Sequence, residues 1–109
     1  MKELVEYFKA KGVLFKELYP VDLKSYKIKK RWQVFVGVDQ KNRYWLIVRI
    51  ERKSRFLRKD AQEVLSLQER LEQILGHGFK KRHLILKAPL CSRAEEFLKE
   101  AGWSVDAVM

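Results

Sequence analysis

The hydrophobic and polar residues of the chain follow periods that predict both helices and strands. Apolar residues recur every three or four positions in three segments, so helices are predicted over 2–11, 60–75 and 92–101. Asp60, with Glu63 three residues later, gives the second helix a capping-box start, and the third opens in the same way at Ser92. The apolar stripe of the first helix consists of Leu4, Val5 and Phe8. That of the second consists of Val64, Leu67, Leu71, Ile74 and Leu75.

Shorter apolar runs predict five strands, over 13–18, 32–38, 44–53, 83–87 and 103–108. Residues 39–43, Asp-Gln-Lys-Asn-Arg, predict a turn, so the second and third strands form an antiparallel hairpin. The resulting order is α-β-β-β-α-β-α-β, a hairpin followed by a βαβ unit. This order favours an α/β fold with a mixed sheet flanked by helices. We expect residues 1–109 to form a single domain of this kind.

The composition is strongly basic. The 109 residues include 24 Lys and Arg against 14 Asp and Glu, which gives a formal net charge of +10. Such an excess favours a polyanionic partner, with DNA or RNA ahead of a membrane surface. Cys91 is the single cysteine, so neither an internal disulfide nor a cysteine-based zinc site is expected. The charged N-terminus and the short apolar runs argue against a signal peptide and a membrane span, so we expect a cytoplasmic protein.

The third predicted strand ends in Glu51-Arg52-Lys53. Alternate side chains share one face of a strand, so the carboxylate of Glu51 and the ammonium of Lys53 are expected to point the same way. A carboxylate and an ammonium presented together can hold a divalent metal and contact a phosphate. The alternative is a solvent-exposed ion pair of little energetic consequence.

This element order, with Glu-x-Lys at the end of the third strand, resembles the restriction-endonuclease-like superfamily, the PD-(D/E)xK nucleases. Within it, the chain is most similar to small archaeal Holliday-junction resolvases and Mrr-type domains. The segment 2–12 is similar to the family's short first helix, and Asp60-Ala61-Gln62 begins the helix in which the family often places a Gln. Residues 84–102 are similar to its closing strand and helix. The resemblance therefore covers nearly the whole chain.

The resemblance implies a restriction-endonuclease-like fold and metal-dependent hydrolysis of phosphodiesters with Mg²⁺ or Mn²⁺. Glu51 would bind the metal, Lys53 would offset charge in the transition state, and Gln62 would be an auxiliary catalytic residue. The family has a further metal ligand, an Asp on the preceding strand. Asp39 has a suitable sequence separation from Glu51 and is the candidate for that ligand, and Asp22, which follows Pro20, could fold back as an alternative. Resolvases also carry a catalytic Glu at the start of the first helix, for which Glu3 is the candidate here.

The chain departs from the family pattern opposite Glu51. If the turn centres near Lys41, Glu51 faces roughly residue 31, where the sequence reads Arg31-Trp32-Gln33 and has no carboxylate. In a regular hairpin Asp39 lies at the turn, several residues away from Glu51. These positions favour a second interpretation, in which the fold is kept and the metal site is lost.

Basic residues flank the predicted hairpin on both sides. A hairpin brings its outer ends together, so these residues should gather at the sheet end that holds Glu51. The candidates for nucleic-acid binding are Lys27, Lys29, Lys30, Arg31, Arg52, Arg55, Arg58 and Lys59. Aromatic residues among them, Tyr26, Trp32 and Phe56, could stack on unpaired bases. The third basic group, at 80–82, should lie at the opposite end of the sheet.

Three functions fit the sequence. The first is a nuclease that acts on structured or branched DNA, with a homodimer as its expected assembly. The second is a non-catalytic nucleic-acid-binding module with a degenerate nuclease fold. The third is a subunit whose basic face meets an acidic protein. DNA is expected ahead of RNA, and no membrane partner is expected.

Overall fold

Helices and strands follow the predicted order in the computed structural model, which describes residues 2–107. The helices are α1 (Lys2–Ala10), α2 (Arg58–Leu75) and α3 (Ser92–Glu100). The strands are β1 (Phe15–Pro20), β2 (Gln33–Asp39), β3 (Tyr44–Glu51), β4 (Lys81–Lys87) and β5 (Ser104–Ala107). A short 3₁₀ turn at Leu23–Tyr26 lies in the predicted basic loop. The last residue predicted for the fifth strand, Val108, lies outside the described residues.

The five strands form one mixed sheet in the order β1-β2-β3-β4-β5. The pairs β1–β2 and β2–β3 are antiparallel, whereas β3–β4 and β4–β5 are parallel. The predicted hairpin and the predicted parallel pairing of the third and fourth strands are both confirmed. In this register Gln33 pairs with Arg49, and Glu51 pairs with Lys87.

Helix α1 packs on one face of the sheet, and α2 and α3 pack on the other. The α1 face is apolar where Leu4 and Phe8 meet Trp45, Ile47 and Ile85. The alternate residues of the strands form the larger core beneath α2 and α3. Because side chains alternate along β3, Arg49 and Glu51 continue the row of Trp45 and Ile47 on the α1 face.

The apolar stripes of two helices are narrower than predicted. Val5 on α1 and Ile74 on α2 keep about two fifths of their surface exposed, at 41% and 40%. Leu75 is half-buried, and the other stripe residues are buried: Leu4, Phe8, Val64, Leu67 and Leu71. Within residues 2–107 there is no helix with the length and hydrophobicity needed to span a membrane.

The start of α2 differs from the predicted capping box. Leu57 occupies the N-cap position, and Asp60 is the third residue of the helix. The Asp60 carboxylate accepts a hydrogen bond from the backbone N–H of Leu57 at 2.8 Å, so it caps the helix from within its first turn. Glu63 forms an ion pair with Lys30 instead of a cap. At α3, likewise, Cys91 is the N-cap residue and Ser92 is already helical.

Candidate functional site

Glu51 lies at the carboxyl end of β3, on the sheet face that α1 covers. It lines a cleft of about 220 Å³ between the sheet and the first turns of α1. We call this the α1 cleft, and its lining residues are Glu3, Leu4, Tyr7, Arg49, Ile50, Glu51, Ile85 and Lys87. A second hollow of about 190 Å³, lined by Arg31, Gln33, Arg49 and Glu51, adjoins it. Arg49 and Glu51 line both hollows.

Cations surround Glu51. The Nζ atom of Lys87, on the neighbouring strand, lies 3.7 Å from a Glu51 carboxylate oxygen. Both side chains are more than 60% exposed, so water screens this ion pair and it contributes at most about 1 kcal/mol. The ammonium group of Lys87 can therefore leave Glu51 and bind another anion at little cost in free energy.

Arg31 occupies the side of the site where the nuclease resemblance expects a carboxylate. The paired residues of β2 and β3 end at Gln33 and Arg49, and the same register extended by two residues sets residue 31 opposite Glu51. Arg31 lines the same hollow as Glu51, which agrees with that expected position.

Tyr7 forms the wall of the α1 cleft on the helix side. Its hydroxyl donates a hydrogen bond to Asp106 of β5 and lies 3.2 Å from Nε2 of His83 on β4. Burial, together with the Asp106 carboxylate, raises the pKa of Tyr7 above its ordinary value. These contacts join α1 to two strands and fix the helix that carries Glu3 over the cleft.

Asp39, the predicted second metal ligand, lies at the opposite end of β3 from Glu51. The strand has 8 residues, so at about 3.4 Å per residue the two carboxylates are roughly 25 Å apart. The Asp39 side chain accepts hydrogen bonds from the backbone N–H groups of Lys41 and Arg43, from Arg43 Nε and from Trp45 Nε1. Burial alone would raise the pKa of Asp39, but these four donors outweigh it and hold the pKa far below its ordinary value. The structure therefore gives Asp39 a role in closing the hairpin.

Lys53 and Gln62, predicted to act with Glu51, are not among the residues that line the α1 cleft. Strand β3 ends at Glu51, two residues earlier than predicted, and Lys53 lies in a bend. Strand alternation therefore no longer determines the direction of its side chain. Gln62 is exposed on α2, which packs on the other face of the sheet.

Arg52, between Glu51 and Lys53, points to the α2 side. Its guanidinium donates to the Asp60 carboxylate at 2.5 Å and to the Arg55 carbonyl at 2.9 Å, and it lies over the Phe56 ring. Burial of Asp60 acts to raise its pKa, but the hydrogen bonds from Leu57 and Arg52 lower it overall. Arg52 thus connects the end of β3 to the start of α2 and is the least accessible of the predicted nucleic-acid contacts in this loop.

The other predicted nucleic-acid contacts differ in how freely their charges are presented. Lys30 pairs with Glu63 and lies over the Trp32 ring, and Arg58 lies 5.3 Å from the centre of the Phe97 ring. Lys27, Lys29, Arg31, Arg55 and Lys59 are exposed. Phe56, predicted to stack on bases, is fully buried in the core, so that prediction is wrong. The backbone of Phe56 pairs with that of Leu90, and this pairing holds the segment against the core.

The donor set of the α1 cleft does not fit a nuclease metal site. Glu3 and Glu51 are the carboxylates in its lining, against Arg49 and Lys87, with Arg31 beside them. A divalent cation prefers several oxygen ligands, and the three cationic groups repel it. Within residues 2–107, no group of three or more His, Cys, Asp and Glu side chains could hold a metal ion.

Two members of this site, Arg49 and Lys87, were not among the predicted functional residues. Arg49 could have been found from strand alternation, since it lies two positions before Glu51. Lys87 follows from the parallel pairing of the third and fourth strands only once their register is known. That register places the last residue of β4 beside the last residue of β3.

Two solved structures are similar to this chain. EndoMS in its apo form matches with a TM-score of 0.58 and 14% sequence identity, over 89% of this chain and 38% of that one. A repair endonuclease from Pyrococcus abyssi matches with a TM-score of 0.49 and 18% identity, over 85% and 39%. The chain thus spans about two fifths of the length of each protein. No protein-family model and no curated protein sequence matches it.

The likeness to EndoMS covers nearly the whole chain and agrees with the observed architecture. The elements run α1-β1-β2-β3-α2-β4-α3-β5, with a hairpin that leads into a parallel crossover. The third strand ends at Glu51, the first residue of Glu-x-Lys, and Lys53 follows outside the strand. The chain therefore has the restriction-endonuclease-like fold.

Proposed function

We propose that this chain is a non-catalytic nucleic-acid-binding module, which keeps a nuclease fold and contacts phosphates at the α1 cleft. The observation that carries the proposal is the charge around Glu51. Arg31 lies on the side of the site where the resemblance to nucleases calls for a metal-binding carboxylate, and Arg49 and Lys87 add positive charge beside Glu51. Positive charge thus surrounds the carboxylate that would hold the family's metal.

Guanidinium and ammonium groups suit phosphate oxygens. An arginine donates two parallel hydrogen bonds to a phosphate, and a lysine acts as a point charge. Arg31 and Lys87 are exposed and Arg49 is partly exposed, so all three can reach a ligand. In the lining of the α1 cleft, Arg49 and Lys87 balance Glu3 and Glu51, and Arg31 of the adjoining hollow gives the two hollows together one excess positive charge. The exposed cations at Lys29 and Arg55 belong to the same end of the sheet.

Phosphate contacts predict a particular kind of binding. They give affinity without direct sequence information, and the affinity falls steeply as salt rises. The net charge of +10 acts in the same direction and favours association with DNA or RNA. DNA is the expected partner.

A metal-dependent nuclease is the second candidate, and one observation favours it. Glu3 of α1 and Glu51 of β3 line the same cleft. Two carboxylates are too few ligands by themselves, so this candidate requires the phosphates of a bound substrate to complete the ligand set of Mg²⁺. The branched DNA substrate and the homodimer implied by the resemblance belong to this candidate.

A binding and cleavage assay with the purified chain separates the two candidates. Labelled duplex, branched and single-stranded DNA would be titrated by fluorescence anisotropy at several salt concentrations, with and without Mg²⁺ or Mn²⁺. We expect salt-sensitive binding that needs no metal, and no cleavage. Removing two phosphate contacts by Arg31→Ala and Lys87→Ala together should lower the slope of log affinity against log salt by about 2 on duplex DNA.

The matched control is the double variant Lys9→Ala and Lys99→Ala, which removes the same charge from two exposed helix positions. If it weakens binding as much as the cleft variant, the cleft is not the binding site. Glu51→Gln should retain or increase affinity, because it removes a repulsive charge. Metal-dependent cleavage that Glu51→Gln abolishes would instead establish the nuclease, and an absence of salt-sensitive binding would refute both candidates.

A further inference from the structure

A second groove lies at the opposite end of the sheet from the α1 cleft. It is formed by the β2–β3 turn and by the segment between α2 and β4, and it has a volume of about 760 Å³. We call it the hairpin groove. Its lining residues are Lys41, Asn42, Arg43, Tyr44, Glu72, His77, Gly78, Phe79, Lys80 and Arg82. A volume of this size is within the range of pockets that hold ligands as large as a nucleotide.

The lining of the hairpin groove is cationic. Lys41 and Lys80 are exposed, and within residues 2–107 neither forms an ion pair. Arg82 donates to backbone carbonyl groups, which leaves its charge uncompensated. The carboxylate of the lining, Glu72, already accepts hydrogen bonds from Gln68 and from the backbone N–H of Phe79. The groove therefore presents an excess of positive charge to solvent.

A stacked pair of rings stands in this groove. The rings of Tyr44 and His77 are 3.8 Å apart and inclined by 16°, and the buried Phe79 supports His77 edge-on. Tyr44 is 39% exposed, so the pair offers an aromatic surface to a ligand. The backbone N–H of Lys80 donates to the Tyr44 carbonyl at 3.0 Å, which joins the two walls of the groove. The aromatic surface is thus held in place before a ligand arrives.

We propose that the hairpin groove binds an unpaired nucleotide of a nucleic-acid strand. The base stacks on the Tyr44–His77 pair, and the flanking phosphates contact Lys41 and Lys80. An aromatic platform between cationic groups is the arrangement by which proteins bind single strands without sequence preference. The inference shares its class of ligand with the proposed function, but it uses separate residues about 25 Å away along β3.

The two histidines of the chain allow a direct test. His77 lies in the groove, whereas His83 is buried between α1 and the sheet, with 8% of its surface exposed. A deoxythymidine oligonucleotide of about 12 residues, long enough to cover one such site, would be added while the NMR signals of both imidazole rings are followed. We expect the His77 signals to shift and those of His83 to stay in place.

Variants then identify the contacts. Lys41→Ala with Lys80→Ala should lower the salt slope for the single strand by about 1.4, and the control Lys9→Ala with Lys99→Ala should not. Tyr44→Ala should weaken binding about tenfold, whereas Tyr44→Phe keeps the ring and should bind normally. His77 signals that do not move at a saturating concentration of oligonucleotide would overturn the inference.

The test separates this inference from the proposed function. The α1 cleft variant, Arg31→Ala with Lys87→Ala, should leave the His77 shift intact. If it loses all binding while the groove variant binds normally, the inference fails alone. If the cleft variant binds duplex DNA with the same salt slope as the wild-type chain while the groove variant loses oligonucleotide binding, the proposed phosphate site at the α1 cleft fails alone. If the wild-type chain binds duplex DNA but not the oligonucleotide, the inference fails alone, and if it binds neither, both fail.

Discussion

Replacing Asp39 by Asn tests whether this residue stabilises the β2–β3 hairpin or serves as a metal ligand. One Asp39 oxygen accepts from the backbone N–H groups of Lys41 and Arg43, each at 2.9 Å. The other accepts from Arg43 Nε at 2.8 Å and from Trp45 Nε1 at 2.9 Å. Asparagine keeps one oxygen and replaces the other by an NH₂ group. The NH₂ group is itself a donor, so Arg43 Nε and Trp45 Nε1 lose the oxygen that accepted their hydrogen bonds.

The cost follows from the burial of those donors. Trp45 is 8% exposed, so its indole N–H cannot turn to water and loses its partner at a cost of about 1–3 kcal/mol. Arg43 is 37% exposed in its side chain and rehydrates at a smaller cost. The two remaining hydrogen bonds lose their charge assistance, which adds roughly 1 kcal/mol. We therefore expect Asp39→Asn to lower the free energy of unfolding by about 2–4 kcal/mol.

Thermal unfolding at neutral pH measures this loss, and a chain of this size should melt at least ~10 °C lower. The dependence on pH gives a second measurement. The folded pKa of Asp39 lies below the unfolded value of about 3.9, so its contribution is complete above that pH and is lost as pH falls through the acid range. The stability difference between wild type and Asp39→Asn should therefore shrink between about pH 5 and pH 2.

Asp22→Asn is the matched control, because Asp22 is an exposed aspartate whose hydrogen bonds stay within the 3₁₀ turn. It should change the unfolding free energy by less than about 1 kcal/mol. Equal stabilities of wild type and Asp39→Asn at neutral pH, or a difference that does not vary with pH, would refute the account of the hairpin. An unchanged fold with lost metal binding would instead restore Asp39 as a ligand.

Two further predictions concern the packing around the proposed sites. Tyr7→Phe removes the hydroxyl that donates to Asp106 and contacts His83, and chemical denaturation should show a loss of about 1–2 kcal/mol with no change in the far-UV spectrum. Equal denaturation midpoints for Tyr7→Phe and wild type would show that these hydrogen bonds do not stabilise the packing of α1. Gly102→Ala forces a positive φ of 87° on alanine and places its Cβ against the Arg82 guanidinium, so it should cost at least ~1 kcal/mol. A melting temperature unchanged by this substitution would contradict that geometry.

The sequence predicts where the basic residues gather on the sheet, but not which of them are paired with acidic residues. The hairpin did bring the segments before β2 and after β3 to one end of the sheet, because its geometry depends only on the turn and on the strand period. Which of those cations is free could not be predicted in the same way. Arg52 meets Asp60, and Lys30 meets Glu63 from 33 residues away, because α2 packs against the loop that precedes β2. Such partners depend on packing and not on spacing.

By itself, the sequence determined the order of helices and strands, the hairpin and its register. These properties depend on short-range periods and on turns, which are local. Only the tertiary structure decided that Lys87 approaches Glu51, that Asp39 is saturated by four donors, and that Tyr44 stacks on His77. Those contacts join residues from different elements, and the direction of a polar side chain is set by whichever donors, acceptors and rings the packed core places around it.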